Sequence, residues 1–369
     1  MVRELDEGRL SFDDLVAKGV IEFLDVNEED NAFIAVTAAE ITVNHTHLEI
    51  DPFTIIGVVA GIIPYPHHNQ SPRNLFQCSM GKQAQGIIGL NELVRNDTLN
   101  YLLSYPQQPM VKTAHIELIN YNKLPAGQNA SVAVMSYSGY DIEDAIIVNK
   151  ASLDRGFERS FYYRRYENEL KRVGDFGLKD QLIGKSAELR ASERKNLSGY
   201  FLKKYHCLDE DGLARVGHNI QSGEVFVNKK VPVVGDSSER DLRKLQESIK
   251  WNDEPSTYKT HSTNHYVDRV ILTSNDQNTV IKTITREMRR PELGDKLSSR
   301  HGQKGVCGLI VPEEDMPFSE TGWRPDLIMN PHGYPSRMTV GKLLELIGGK
   351  AGCLKGRLHS GTAFAGDKV

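Results

Sequence analysis

The chain has 369 residues, 39% hydrophobic and 25% charged, with a formal net charge of −4, a composition that fits an ordinary folded protein and excludes a disordered, fibrous or membrane class. The slightly acidic total also excludes a globally basic nucleic-acid coat, so any polyanionic partner has to be met by local clusters of lysine and arginine. Cys78, Cys207, Cys307 and Cys353 are far apart, which removes a C-x-x-C knuckle or a disulfide framework and predicts buried thiols in a reducing compartment.

No apolar run approaches the roughly 20 residues of a membrane span, and the first residues hold no signal-peptide core. A soluble intracellular protein is expected, of two or three domains by length. The last residues, Phe364 to Val369, form no recognisable closing element, as in a fragment.

Residues 1–50 carry the acidic stretch Glu28-Glu29-Asp30 between β-leaning runs, Val20 to Leu24 and Ala32 to Val36, and read as a small α/β element. The apolar run Thr54 to Ile63 predicts a buried segment ended by Pro64 and Pro66. A polar turn, Asn69 to Asn74, leads into a helix expected from Phe76 to Val94, against which Gly81, Gly86 and Gly89 weigh. Strands are expected at Lys112 to Ile119, Ala130 to Met135 and Ala145 to Val148, with a turn at Tyr137 to Tyr140. Ser152 is a candidate cap for a short helix. From about 160 to 265 the chain becomes polar and rich in Gly, Lys and Glu, with strands at Glu224 to Val227 and Val231 to Val234 and a helix at Arg240 to Lys250. This predicts an inserted, more exposed domain. Strand alternation returns at Val267 to Leu272 and Thr279 to Arg286, followed by the apolar run Val306 to Val311. A last helix starts at Val340 after the N-cap Thr339, with Leu343, Leu344 and Ile347 on one face and Gly348-Gly349 as its stop.

The densest chemistry lies in Arg289 to Gly305. Gly294, Gly302 and Gly305 let backbone N–H groups approach a ligand, and Lys296 and Lys304 each place a compact positive charge. The stretch is either a solvated basic face entering a strand or equipment for holding phosphate. Glu143-Asp144 has a similar pair of readings, a solvated acidic turn or a hard-cation site such as Mg²⁺, which takes one or two carboxylates plus substrate phosphates. Neighbouring strand residues point to opposite faces, so only one is a direct ligand unless the backbone turns. Arg73 and Arg337 lie in Ser/Pro-flanked turns that suit a phosphate-facing guanidinium or a surface ion pair. His45, His47, His67 and His68 lack the cysteine or carboxylate partners that complete a zinc site. Gly184-Lys185-Ser186 has the tail of a P-loop, but Lys179 stands where its first glycine belongs, and the surroundings read as polar, not strand-to-helix. No G-x-S-x-G elbow or H-E-x-x-H helix is present.

Six ordered segments, Asn69 to Asn74, Met80 to Gln83, Ser138 to Ala145, Gly294 to Lys296, Ser299 to Gly305 and Asn330 to Thr339, resemble signatures of the second-largest (β-like) subunit of multisubunit DNA-directed RNA polymerases. The wording of Pro64 to Gln70, Tyr121 to Gln128 and Pro331 to Pro335 most resembles the RNA polymerase III form, which implies a nuclear protein. The resemblance implies a mixed α+β, β-rich fold with a double-psi β-barrel. Residues 1–50 would end an external or fork region, 51–159 and 291–369 would form a hybrid-binding region, and 160–290 would be a wall or flap insert. It also implies DNA-templated nucleotidyl transfer, with Lys296 and Lys304 facing the RNA 3′ end and incoming nucleotide and Arg73 and Arg337 reaching the triphosphate. Gln83, Arg300 and His301 would contact RNA, and Asp144 with Glu143 would help place the second Mg²⁺. The first metal would belong to the largest subunit, since no D-x-D-x-D run exists here. Implied partners are that subunit, the other core subunits, template DNA, the RNA–DNA hybrid and NTPs, with no membrane and no zinc in this stretch.

Overall fold

Two open five-stranded sheets organise the computed structural model, which describes residues 4–5, 7–173, 178–194, 199, 203–233, 249–260, 264–275 and 278–367. In the first, Ala145–Asn149 lies at the centre, parallel to Lys304–Val311 and antiparallel to Leu327–Met329. Lys296–Ser298 forms one edge as a hairpin with Lys304–Val311, and Val132–Val134 forms the other, parallel to Leu327–Met329. The centre is a near-continuous apolar run because both faces are covered. Ile146 and Val148 pack with Leu153, Cys307 and Leu327 on one face, and Ile147 packs with Val311, Met316 and Ile328 on the other.

The second sheet is antiparallel, in the order Asn219–Ile220, His265–Ser274, Thr279–Arg289, Ser160–Leu170, Leu99–Leu103. Its long central pair, Ser160–Leu170 with Thr279–Arg289, brings the two ends of the polar stretch side by side. Leu99–Leu103 comes from outside that stretch, so the sheet itself crosses residue 160. The hydrophobic core beyond it does not: Leu170, Cys207, Ile220, Phe226, Tyr258 and Ile281 cluster together. A three-stranded sheet, Gln181–Leu182, Val225–Val233, Lys250–Thr257, lies in the same region. Val225–Val233 is one strand where the sequence predicts two, because Lys229 and Lys230 face Glu254 and Asp253 across the ladder and pair with them.

The β-rich mixed class is as expected, although among the described residues no sheet closes into a barrel. Several local expectations are corrected. Lys112 to Ile119 is a two-residue strand, Val111–Lys112, followed by the helix Ala114–Leu118, which Thr113 caps through its hydroxyl. Thr54 to Ile63 is not a buried segment; only its end is, with Ile63 enclosed and Ile55 and Val58 exposed. The expected Phe76 to Val94 helix is instead Ser71–Gly81, begun by Pro72 in its first turn and ended before the glycine-rich stretch. Asn149, not Ser152, caps Lys150–Arg155. Residues 1–50 hold two six-residue helices, Phe12–Ala17 and Val26–Asn31, and a short parallel pair, Ile34–Ala35 with His47–Leu48; Val20 to Leu24 forms no strand. Cys207 and Cys307 are buried, but Cys353 is exposed. A short strand does precede the helix at Lys185, although Glu210 accepts a bond from Ser186 Oγ at 2.7 Å there. The expected helix at Arg240 to Lys250 lies outside the described residues up to 248. No helix among the described residues is long and apolar enough to cross a membrane.

The final helix, Val340–Lys355, runs through Gly348-Gly349 and stops at Gly356, whose φ of 66° is left-handed. Its inward face is Gly341, Lys342, Gly348 and Gly352, while Leu343 and Ile347 are 41% and 55% exposed. Small residues win that face because the chain approaches closely: a Cβ on Gly341 would lie 2.8 Å from the Tyr65 carbonyl, and one on Gly352 2.7 Å from that of Arg357.

Candidate active site

The hairpin Lys296–Ser298/Lys304–Val311 sets the charge. Its register places Lys296 opposite Val306 and Ser298 opposite Lys304, so all four share one face and Leu297 and Gly305 share the other. Leu297 packs on the core and Gly305 is buried, which turns the lysine face to solvent. Lys296 and Lys304 are diagonal neighbours, a relation that spaces positions by about 7–8 Å. Among the described residues neither has an ion-pair partner; two positive charges stand together uncompensated.

The hairpin tip is built the opposite way. His301 is wholly buried, its Nε2 2.7 Å from Glu345 Oε2, and Arg300 donates from Nη2 to Glu345 Oε1 at 2.7 Å. Arg300 also donates to the carbonyls of Ile62 (3.2 Å) and Val111 (2.9 Å). The His301 tautomer follows from its neighbours. The Gly341 N–H can only donate and meets Asn69 Oδ1 at 2.9 Å, so Asn69 Nδ2 faces His301 Nδ1, also at 2.9 Å. Nδ1 therefore accepts, Nε2 carries the proton, and the ring is neutral. Burial accordingly lowers the His301 pKa, outweighing Glu345. Burial alone would raise the Glu345 pKa, yet Lys342 and Arg300 hold it well below the usual carboxylate range. Gln303 completes the tip by donating to Thr339 Oγ1 at 2.6 Å.

Across from the lysines, the chain entering the central strand bends sharply. Glu143 and Asp144 have φ of 51° and 73°, two successive left-handed residues without glycine, a conformation that costs on the order of 1–3 kcal/mol each and clusters at functional sites. The turn defeats strand alternation, and both carboxylates line one open cleft of about 470 Å³ together with Lys304 and Arg337. Asp144 pairs with Arg337 Nη2. Arg337 ends the short helix Gly333–Arg337, which Met338 stops with a φ of 52°. Two exposed hard oxygen donors beside lysine and arginine suit a Mg²⁺ that shares its coordination with phosphate.

Arg73 lies in the first turn of Ser71–Gly81, which packs along the hairpin: its Nη1 is 3.5 Å from the Gly302 carbonyl, and Met80 Sδ is 3.5 Å from Ser298 Oγ. Arg73 Nε is buried with no hydrogen-bond partner among the described residues, and its guanidinium lies 5.4 Å from the Phe76 ring centre. Gln83 is exposed just beyond that helix and does not line the cleft. Thus the structure gathers Lys304, Glu143, Asp144 and Arg337 in one cleft, sets Lys296 beside it, and turns Arg300 and His301 inward. Glu345 is the residue that sequence reasoning missed. Its signal was the Gly341, Gly348, Gly352 face, which marks where this helix packs closely and hence where a charge on it would be buried.

This chain belongs to the RNA polymerase Rpb2 family. The family profile described as RNA polymerase Rpb2, domain 6, matches residues 59–369, and that of RNA polymerase Rpb2, domain 5, matches residues 12–52. It is 52% identical over 378 residues to the DNA-directed RNA polymerase III subunit RPC2 of Schizosaccharomyces pombe, covering 100% of this chain and 31% of that protein. The RPC2 of Drosophila melanogaster is 51% identical over 367 residues, covering 99% of this chain and 31% of the relative. More distant is the DNA-directed RNA polymerase subunit Rpo2 of Sulfolobus acidocaldarius, 41% identical over 370 residues, with 98% and 31% covered. The chain spans about a third of the length of these relatives.

Proposed function

We propose that this chain contributes the second-subunit half of a DNA-directed RNA polymerase active site, in an RNA polymerase III-type nuclear enzyme. The observation that carries the reading is the cleft that joins Lys304 and Arg337 to the Glu143-Asp144 turn. The higher identity to RPC2 than to Rpo2 favours the polymerase III form. The partners would be the largest subunit, the other core subunits, template DNA, the RNA–DNA hybrid and NTPs. Residues 51–159 and 291–369 would hold the hybrid, in a double-psi barrel, and 160–290 would be the wall or flap. Residues 1–50 would end the external or fork region. The separate core of Leu170 to Ile281 supports an insert of its own.

In this reading Lys296 and Lys304 face the RNA 3′ end and the incoming nucleotide, where fixed positive charge meets the negative charge that develops on phosphate. Glu143 and Asp144 would hold the Mg²⁺ that accompanies the nucleotide. When bound, that ion neutralises phosphate charge and orients the displaced groups. Arg337, which pairs with Asp144, would exchange the carboxylate for the triphosphate as nucleotide enters. Arg73 approaches the triphosphate and Gln83 the RNA. Arg300 and His301 act behind them, holding the hairpin through Glu345.

The test is Asp144→Ala in the assembled polymerase, titrating Mg²⁺ against single-nucleotide extension. The concentration for half-maximal extension should rise; an unchanged titration removes Asp144 from metal binding.

A further inference from the structure

We propose that His206, His218 and Glu224 form a binding site for a divalent transition metal of the Zn²⁺ class. One ligand atom from each lies within 4.8 Å of the others, and His206 Nδ1 is 3.6 Å from Glu224 Oε1. Metal–ligand bonds of about 2.0–2.2 Å bring ligand atoms together to within the spacing that small side-chain rotations reach from here. His218 Nε2 is buried with no hydrogen-bond partner among the described residues, and in the tautomer that protonates Nδ1 this nitrogen is a lone pair lacking its cation or donor. The two imidazole rings are 4.6 Å apart and tilted by 58°.

Hydrogen bonds outside the cluster hold the three positions. Left-handed Gly217 donates to the Val267 carbonyl at 2.7 Å and Val267 donates to that of His218 at 2.9 Å, aiming the His218 ring. The residue after His206, Cys207, is wholly buried and accepts from Arg215 N at 2.8 Å. Glu224 accepts from Gln221 N through Oε2 at 2.8 Å, which orients the carboxylate and leaves Oε1 toward the histidines. Such outer hydrogen bonds are what hold metal ligands in place.

Two imidazole nitrogens and one carboxylate oxygen select zinc-like ions over Mg²⁺ or Ca²⁺. The gathered ligand atoms are those of His206, His218 and Glu224. A fourth position is left to water. Lys185 and Arg215 stand nearby, the former donating to the His206 carbonyl at 3.2 Å, and their charge weakens the affinity without closing the site. The resemblance implies no zinc in this stretch, and these ligands follow no familiar sequence motif.

The experiment is equilibrium dialysis of the chelator-stripped 369-residue chain against Zn²⁺ at neutral pH, with Mg²⁺ as competitor. One Zn²⁺ per chain should bind saturably, at least about tenfold more weakly in His218→Ala and in Glu224→Gln, and resist Mg²⁺. A second readout is thermal unfolding: free Zn²⁺ at about 100 times its Kd shifts the unfolding equilibrium about 100-fold. That shift should fall to about tenfold or less in His206→Ala, a substitution at an exposed side chain. Absent saturable binding, equal affinity in the variants, or ready displacement by Mg²⁺ would each overturn the site.

Discussion

At the tip of the Lys296 to Val311 hairpin, Arg300 and His301 direct their donors into the protein, onto Glu345 and two backbone carbonyls. On its rungs Lys296 and Lys304 stand exposed, with no ion-pair partner among the described residues. The difference separates two uses of charge within nine residues. A buried charge with every neighbour opposed to it fixes geometry, whereas an exposed pair of like charges costs stability and stays open to an anion. The tip is tied down, and the rungs are open to solvent.

The most forceful way to break this contrast is to remove the anchor. Glu345→Ala leaves Arg300 and Lys342 facing a buried site with no counter-charge, a change worth about 3–5 kcal/mol, read from the denaturant midpoint. Acid attacks the same cluster. Both the Glu345 and His301 pKa values are lowered in the folded chain, so on acidification the unfolded state takes up protons first and stability falls as pH drops. The loss should begin below about pH 6.5 through His301 and steepen below about pH 4.3 through Glu345, with Glu345→Ala removing the steeper limb; a stability flat from pH 7 to 4 would contradict the assignment. Gly302→Ala is a smaller probe. Its φ is 69° and its new Cβ would lie 2.4 Å from the Arg73 carbonyl, so strain of about 1–3 kcal/mol should lower the unfolding midpoint.

How far the sequence is legible differs between these places. The rungs are readable because a lysine before an apolar alternating run places itself on the solvent face, and the strand at Ala145 is readable because Ile146, Ile147 and Val148 are β-branched. The tip is not readable, since His301 and Glu345 are 44 residues apart and nothing local distinguishes a buried Arg-His pair from an exposed one. Likewise the left-handed Glu143-Asp144 turn carries no glycine to announce it. Apolar periodicity even names the wrong face of Val340–Lys355, because close backbone contact needs glycine there and leaves Leu343 and Ile347 outside. Spacing alone leaves the lysines between two plain readings, solvated loop or phosphate site, and it is the resemblance that favours the second.

Whether the rungs act is decided by one measurement, the single-nucleotide addition rate of the assembled polymerase carrying Lys304→Ala. The rate should fall about 10²–10³-fold, with the chain's unfolding free energy within about 0.5 kcal/mol of the unsubstituted value. An unchanged addition rate would contradict it.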